Sequence, residues 1–232
     1  MDYARLCRAV EAKGLIARGG FYPTNEDRVP ALADGRDVTA MVLVGVAGRS
    51  LWDSFQAAPE AAQPPNPLDR WSRRVVGELA TELDAVALFP FGGPPFLPFI
   101  RWAQRAEDVY PSPIGPLIHP EYGLWHAYRG ALAFSRAIDL PAKNARSRPC
   151  DTCVDRPCLS ACPVGAFSGQ SYDVPACIEH IDGRRGADCL AGGCLARRAC
   201  PVGVAYQYTP EQMGFHMRAF VAGNRRPGHG NN

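Results

Sequence analysis

Hydrophobic positions draw the first outline of the chain. Residues 2–13 place Leu6 and Val10 one helical turn apart and stop at Gly14, which predicts a helix, followed by a short strand around Leu15–Ala17. The run VTAMVLVGVAG, 38–48, is apolar and rich in β-branched residues without alternation, the pattern of a strand buried on both faces. After the loop QPPNP, Asn66 stands as N-cap before Pro67, and Leu68, Trp71, Val75, Leu79 and Leu83 recur at helical spacing. AVALFPF then predicts a second buried strand, so residues 38–91 read as a β-α-β unit whose strands pair in parallel with a right-handed crossover. FIRWAQRAEDV, 99–109, predicts a short helix with Ile100 and Ala103 on one side. A turn-rich stretch from residue 110 opens into a strand over Trp125–Phe134, and the polar, basic AKNARSRP, 142–149, reads as a linker. Near the end, Thr209 caps a helix begun by Pro210 and running to about Phe220. The tail GNRRPGHGNN has no apolar content and is expected to be disordered.

Two glycine-bearing loops, GVAGRS at 45–50 and FGGPPF at 91–96, leave the carboxyl ends of the two predicted strands. In open α/β sheets ligands sit at that edge, although glycines there serve turns equally well. There is no GxGxxG and no P-loop lysine, which excludes nucleotide phosphate binding of those kinds.

Composition narrows the class. With 232 residues and no apolar run approaching the ~18 residues of a membrane span, the chain reads as a soluble protein of one or two domains without a membrane partner. The opening MDYARLCRAVEAKG lacks an apolar signal segment, so a cytoplasmic location and reduced cysteines are expected. Residues 1–140 carry 14 basic and 16 acidic side chains, whereas residues 141–232 carry 11 and 7. That local excess is small and does not call for nucleic acid as a partner. Arg184-Arg185 and Arg197-Arg198 read as solvated loop charges or as docking points for an acidic redox partner protein.

Chemistry concentrates in the cysteines. Eight of the nine fall within residues 150–200, with C-x2-C-x4-C-x3-C-P at Cys150, Cys153, Cys158 and Cys162, then Cys177, Cys189, Cys194 and Cys200, again followed by proline. In two-cluster ferredoxins the fourth cysteine of such a run, beside proline, ligates the other cluster. Cys150, Cys153, Cys158 and Cys200 then hold one [4Fe-4S] cluster, and Cys162, Cys177, Cys189 and Cys194 hold the second. The alternatives are structural zinc, which prefers paired C-x2-C knuckles where only Cys150 and Cys153 form one, and disulfides, which need an oxidising compartment. Cys7, in the first helix, reads as a small core residue.

HPEYGLWHAYRGAL, 119–132, resembles the equivalent stretch of the cobalamin-processing proteins that strip the upper ligand from cobalamin, and PLDRWSRRVVGEL, 67–79, is compatible with a core helix of that family. The eight-cysteine arrangement resembles the C-terminal module of epoxyqueuosine reductases and reductive dehalogenases. This resemblance implies an α+β fold: a nitroreductase-like, cobalamin-processing-like sheet domain over 1–145, a bacterial-ferredoxin-like two-cluster domain over 146–208, and a C-terminal helix and disordered tail over 209–232. It further implies a bound corrinoid, with flavin as the lesser alternative, and places the Cys162, Cys177, Cys189, Cys194 cluster nearer the active site. Within the resembling stretch, His119 and Arg129 are candidate cofactor-binding polar groups, and Trp125 and Tyr128, with Trp102 and Phe91, are candidate aromatic walls. The competing expectation is that His119 ties down its loop, Arg129 sits in an ion pair and the aromatics are core.

The departures also carry expectations. Four residues intervene between Cys153 and Cys158 instead of two, and five between Cys194 and Cys200 instead of three. Without the helical-repeat region that epoxyqueuosine reductases carry for tRNA, a tRNA substrate is not expected, and without D-x-H-x-x-G neither is histidine-ligated cobalamin. The leading expectation is an iron–sulfur oxidoreductase passing electrons through two clusters to a corrinoid or small-molecule substrate. The alternatives are a ferredoxin-like carrier or adaptor and a cobalamin-handling chaperone.

Overall fold

The structure, a computed structural model, describes residues 2–33 and 35–225. Its elements in chain order are helix α1 (Tyr3–Glu11), strands β1 (Ile16–Phe21) and β2 (Ala40–Ala47), and helices α2 (Trp52–Gln56) and α3 (Pro67–Glu82). Next come β3 (Val86–Leu88), α4 (Phe99–Ala106), β4 (Tyr110–Pro111), β5 (Leu117–Ile118) and β6 (His126–Phe134). The remainder is helical: α5 (Pro157–Ser160), α6 (Val174–Asp182), α7 (Ala187–Gly192), α8 (Leu195–Arg198) and α9 (Pro210–Asn224). The chain divides into two compact units, one reaching to Val109 and including His126–Arg146, the other made of Tyr110–Trp125 and the residues from Ser147 onward. Segment 110–125 thus belongs to the unit that carries the cysteine run. None of the described helices is long and apolar enough to cross a membrane. The expected disordered tail, from residue 226 onward, lies outside the described residues.

The first unit is a four-stranded sheet in the order β1-β2-β6-β3, every pair antiparallel. This corrects the predicted β-α-β pairing. β2 and β3 do run the same way, but β6 lies between them and hydrogen-bonds to both. Local sequence order suggests that strands 38–48 and 85–91 are neighbours; the longer apolar β6, arriving some forty residues later, takes the central place. β3 is consequently an edge strand, with Val86 exposed, and not the buried strand its apolar residues suggest.

Helix α3 covers β6 with Leu68, Trp71, Val75, Val76 and Leu79, all buried. Each such side chain contributes about 1.5–3 kcal/mol on burial. α1 follows its expected pattern: Asp2 accepts from the amide of Ala4 at 3.0 Å, and Leu6 and Val10 are buried. In α4 the buried face is Phe99, Trp102, Ala103 and Ala106, while Ile100 is 68% exposed, so the predicted inner face is rotated by one position. The reason is Trp102, whose indole donates to the carbonyl of Asp27 at 2.7 Å and pins that turn inward. Trp102 is therefore core, not a cofactor wall.

The second unit is built from short helical turns around the cysteines, with the two-stranded β4-β5 ladder and one isolated bridge between Phe167 and Tyr172. α9 begins as predicted, the Thr209 hydroxyl accepting from the amide of Gln212 at 3.2 Å, and extends a turn beyond the expected end to Asn224.

Candidate metal centres

The short helices of the second unit bring the cysteines into two separate cavities. Cys150, Cys153, Cys158 and Cys200 line one, with Arg156 and Val202. Cys162, Cys177, Cys189 and Cys194 line the other, a larger space of about 390 Å³. Cys162 thus leaves its sequence neighbours and Cys200 joins them, the crossing that the proline-flanked cysteines suggest. Among the described residues no three His, Cys, Asp or Glu side chains are gathered for a single metal ion. The second quartet bounds the cavity of about 390 Å³, and the first a much smaller one of about 20 Å³.

Burial dominates the electrostatics of the quartets and raises the thiols, with backbone amides acting against it. Burial pushes the Cys194 and Cys189 thiols up, and the amides of Arg197 and Ala196 at Cys194, and of Leu195 at Cys189, act against that shift. The amide of Ala166 donates to Cys162 Sγ at 3.3 Å. Burial likewise raises Cys200, opposed by the amide of Val202, and raises Cys150, opposed by the Arg148 guanidinium. Buried amides favour an anionic sulfur because a thiol makes far less use of a donor than a thiolate does. Nε2 of His180, which lines the larger cavity, is buried without a protein partner. Four sulfurs with backbone amides aimed at them fit an anionic group such as a [4Fe-4S] cluster. In that arrangement the first quartet and the second quartet would each hold one cluster.

Two glycines hold the segment 119–123 against the turn after Cys200. Gly123 has φ +57° and Gly203 φ +73°; a Cβ on Gly123 would lie 1.9 Å from the carbonyl oxygen of Val202, and one on Gly203 would lie 2.3 Å from the Tyr122 carbonyl. Only backbone fits between them. Gly123→Ala is expected to displace the turn beside Cys200 and lower stability by about 2 kcal/mol or more, read from anaerobic thermal unfolding.

The four candidate cofactor-binding side chains are engaged elsewhere. His119 Nδ1 accepts from the amides of Glu121 and Tyr122 at 3.1 Å each, and its ring stacks on Tyr122, so it ties down its own loop. Trp125 is 1% exposed and packs edge-on against Tyr208 in the second unit's core. Arg197 lies over both rings, 4.5 and 4.7 Å from their centres, and donates to the Leu124 carbonyl, so it is a packing residue and not a solvated charge. Arg198 pairs with Asp188, whereas Arg184 and Arg185 are exposed as expected. In the first unit, Arg129 donates to Ser72 Oγ and Asp69 at 2.9 and 2.6 Å. The fourth candidate, Tyr128, donates to Glu107. Engaged in this way, the four side chains do not fit a corrin. Of the two glycine loops, FGGPPF lines a groove of about 300 Å³ under Arg73, whose guanidinium lies over Phe89 and Phe91. Residues 45–50 are not part of its lining. Cys7 is half-buried, and burial raises its thiol.

A buried charge cluster in the first unit carried no flag in the sequence. Arg18, 1% exposed on β1, donates to the Val46 carbonyl at 3.0 Å, contacts His126 Nδ1 at 3.2 Å and pairs with Glu107 at 2.7 Å. Burial holds the Glu107 carboxyl above the usual range, opposed by Arg18 and by the Tyr128 hydroxyl.

No family model and no curated protein matches the chain. A solved structure of epoxyqueuosine reductase from Bacillus subtilis superposes with TM-score 0.50 at 17% identity, covering 90% of this chain and 67% of that one. A second, of epoxyqueuosine reductase with a tRNA-Tyr epoxyqueuosine-modified stem loop, gives TM-score 0.47 at 15% identity over the same shares. At TM-score 0.50, the likeness to the Bacillus subtilis enzyme is one of fold.

Proposed function

We propose that the chain is an iron–sulfur oxidoreductase that receives electrons from a redox partner protein and passes them, through two [4Fe-4S] clusters, to an electron acceptor. The observation that carries this reading is the sorting of eight cysteines into two quartets lining two cavities, with Cys162 and Cys200 exchanged between their sequence neighbourhoods. The fold likeness to epoxyqueuosine reductase supports the oxidoreductase class. When bound, the clusters supply single-electron transfer at low potential. The chain's own part is to hold four thiolates per cavity, to aim amides at the sulfurs, and to keep water from the buried Cys189 and Cys200.

A second reading, a ferredoxin-like electron carrier or adaptor, is favoured by one observation. The four side chains expected to grip a corrin all have internal partners. Anaerobic purification from cells supplied with cobalamin tests both. About eight irons per chain and a broad absorption band near ~400 nm are expected; zinc alone would overturn the cluster assignment. Corrin or flavin bands in the same spectrum would favour the reductase over the carrier, and iron without either would favour the carrier.

A further inference from the structure

We infer that the groove beside β3 is a binding site for a small planar aromatic anion, an aryl carboxylate or aryl phosphate. The groove lies wholly within the first unit. Its volume of about 300 Å³ is at the low end for small-molecule sites, so it suits one ring or two fused rings. Ala87 and Leu88 of the edge strand line it together with the FGGPPF stretch that follows. Three phenyl rings contribute. Phe89 and Phe91 pack at 5.3 Å between ring centres, and Phe96 folds back on Gly93, where an added Cβ would meet its ring at 2.7 Å. Phe96 is nonetheless 68% exposed, so most of that ring is open to a partner.

The charge comes from Arg73. Asp69, one turn earlier on α3, is held by Arg129 at 2.6 Å, and among the described residues Arg73 has neither an ion pair nor a hydrogen bond. Stacking positions its guanidinium instead, 5.0 Å from the centre of Phe89 and 5.4 Å from that of Phe91. A guanidinium lying on aromatic faces keeps its N–H donors for a partner in its own plane. Backbone donors stand beside it. A Cβ on Gly92 would come within 3.3 Å of Arg73 Nη2, and among the described residues the amides of Phe91, Gly92 and Gly93 donate to no protein acceptor. Gly92 takes φ +108°, a conformation a side chain would strain, so the backbone there stays bare. An inorganic anion would use the donors and leave the rings in water; a neutral arene would use the rings and leave the guanidinium unpaired. A ligand with both parts satisfies the groove, its ring against Phe91 and Phe96 and its anionic group on Arg73.

The test is titration calorimetry on the anaerobically prepared full chain, with naphthoate, naphthyl phosphate, the neutral isostere naphthamide and the non-aromatic cyclohexanecarboxylate as probes. Naphthoate or naphthyl phosphate is expected to bind one to one, the tighter of the two identifying the anionic group. Naphthamide and cyclohexanecarboxylate should each bind about tenfold more weakly or worse, since each lacks one half of the recognition. Arg73→Gln should weaken the preferred anion about tenfold or more and leave naphthamide unchanged, whereas Phe96→Ala should weaken every arene. Arg73→Lys, which keeps the charge and loses the planar fork, should fall between wild type and Arg73→Gln. Both side chains are exposed, so thermal unfolding of the variants should match that of the wild type. Failure of both anionic arenes to bind at millimolar concentration would refute the site. So would an Arg73→Gln variant as tight as wild type, or either control binding as tightly as the anionic arenes. Iron content enters none of these outcomes, so the site stands or falls independently of the clusters.

Discussion

Cys177→Ala is expected to remove one cluster and spare the other, taking iron from about eight to about four per chain. A cubane is held by four thiolates, and the second cavity offers Cys162, Cys177, Cys189 and Cys194 as its only cysteines. The helix carrying Cys177 has its own supports: Asp173 accepts from the amide of Ala176 at 3.0 Å, and Ile181 is buried on its inner face. The substitution therefore acts on the ligand set and leaves the helix in place. The more discriminating measurement is the grouping of losses. Cys162→Ala should abolish the same EPR signal as Cys177→Ala, although Cys162 is only four positions beyond Cys158 in sequence. Cys200→Ala should match Cys158→Ala, although it is six positions from Cys194. If Cys158 and Cys162 variants lost the same signal, the crossed assignment would be wrong even with eight irons bound. An unchanged iron content in all four variants would defeat the cluster reading.

What the sequence made legible divides along physical lines. The cysteines could be grouped because the proline-flanked run is a local pattern of residue type and short spacing, and the same groups line the two cavities. Helices α1, α3 and α9 could be read because each has a cap or proline at its start and an apolar stripe behind it. Strand neighbours could not. The order β1-β2-β6-β3 depends on β6 outcompeting β3 for the edge of β2, a long-range choice to which hydropathy is blind. The same limit applies to the candidate side chains. His119, Trp125, Tyr128 and Arg129 are the right chemical types for gripping a planar cofactor, but each finds its partner inside its own unit. Arg129 meets Asp69 from sixty positions away and Tyr128 meets Glu107 from twenty-one. Arg18 is the extreme case. In IARGGF nothing marks an inward-facing charge, because its carboxylate lies eighty-nine residues on.

That arginine gives the largest expected loss of stability in the first unit. Arg18→Met should cost about 3–5 kcal/mol, the penalty for breaking a buried pair from one side. The methionine fills most of the volume, so the cost is chiefly electrical. The Val46 carbonyl loses its donor, and Glu107, 15% exposed at its side chain, retains the Tyr128 hydroxyl without the guanidinium. The pH dependence separates this cause from simple loss of packing. In the wild type, burial already holds the Glu107 carboxyl above its ordinary value, with Arg18 pulling it back. Without Arg18 the folded-state pKa moves further above the unfolded one, so the folded variant takes up a proton that the unfolded chain does not yet hold. Stability relative to wild type must then rise as pH falls through that folded pKa, since a neutral carboxyl needs no counter-charge. The deficit measured by urea unfolding should accordingly be greatest near neutral pH and shrink on acidification. Adding Glu107→Gln to Arg18→Met should recover part of the loss at neutral pH and flatten the pH dependence, because the uncompensated charge is gone. A deficit that stayed constant with pH, or a double variant no more stable than the single one, would assign the cost to lost packing and hydrogen bonds at Val46 and His126, with the charge on Glu107 irrelevant to it.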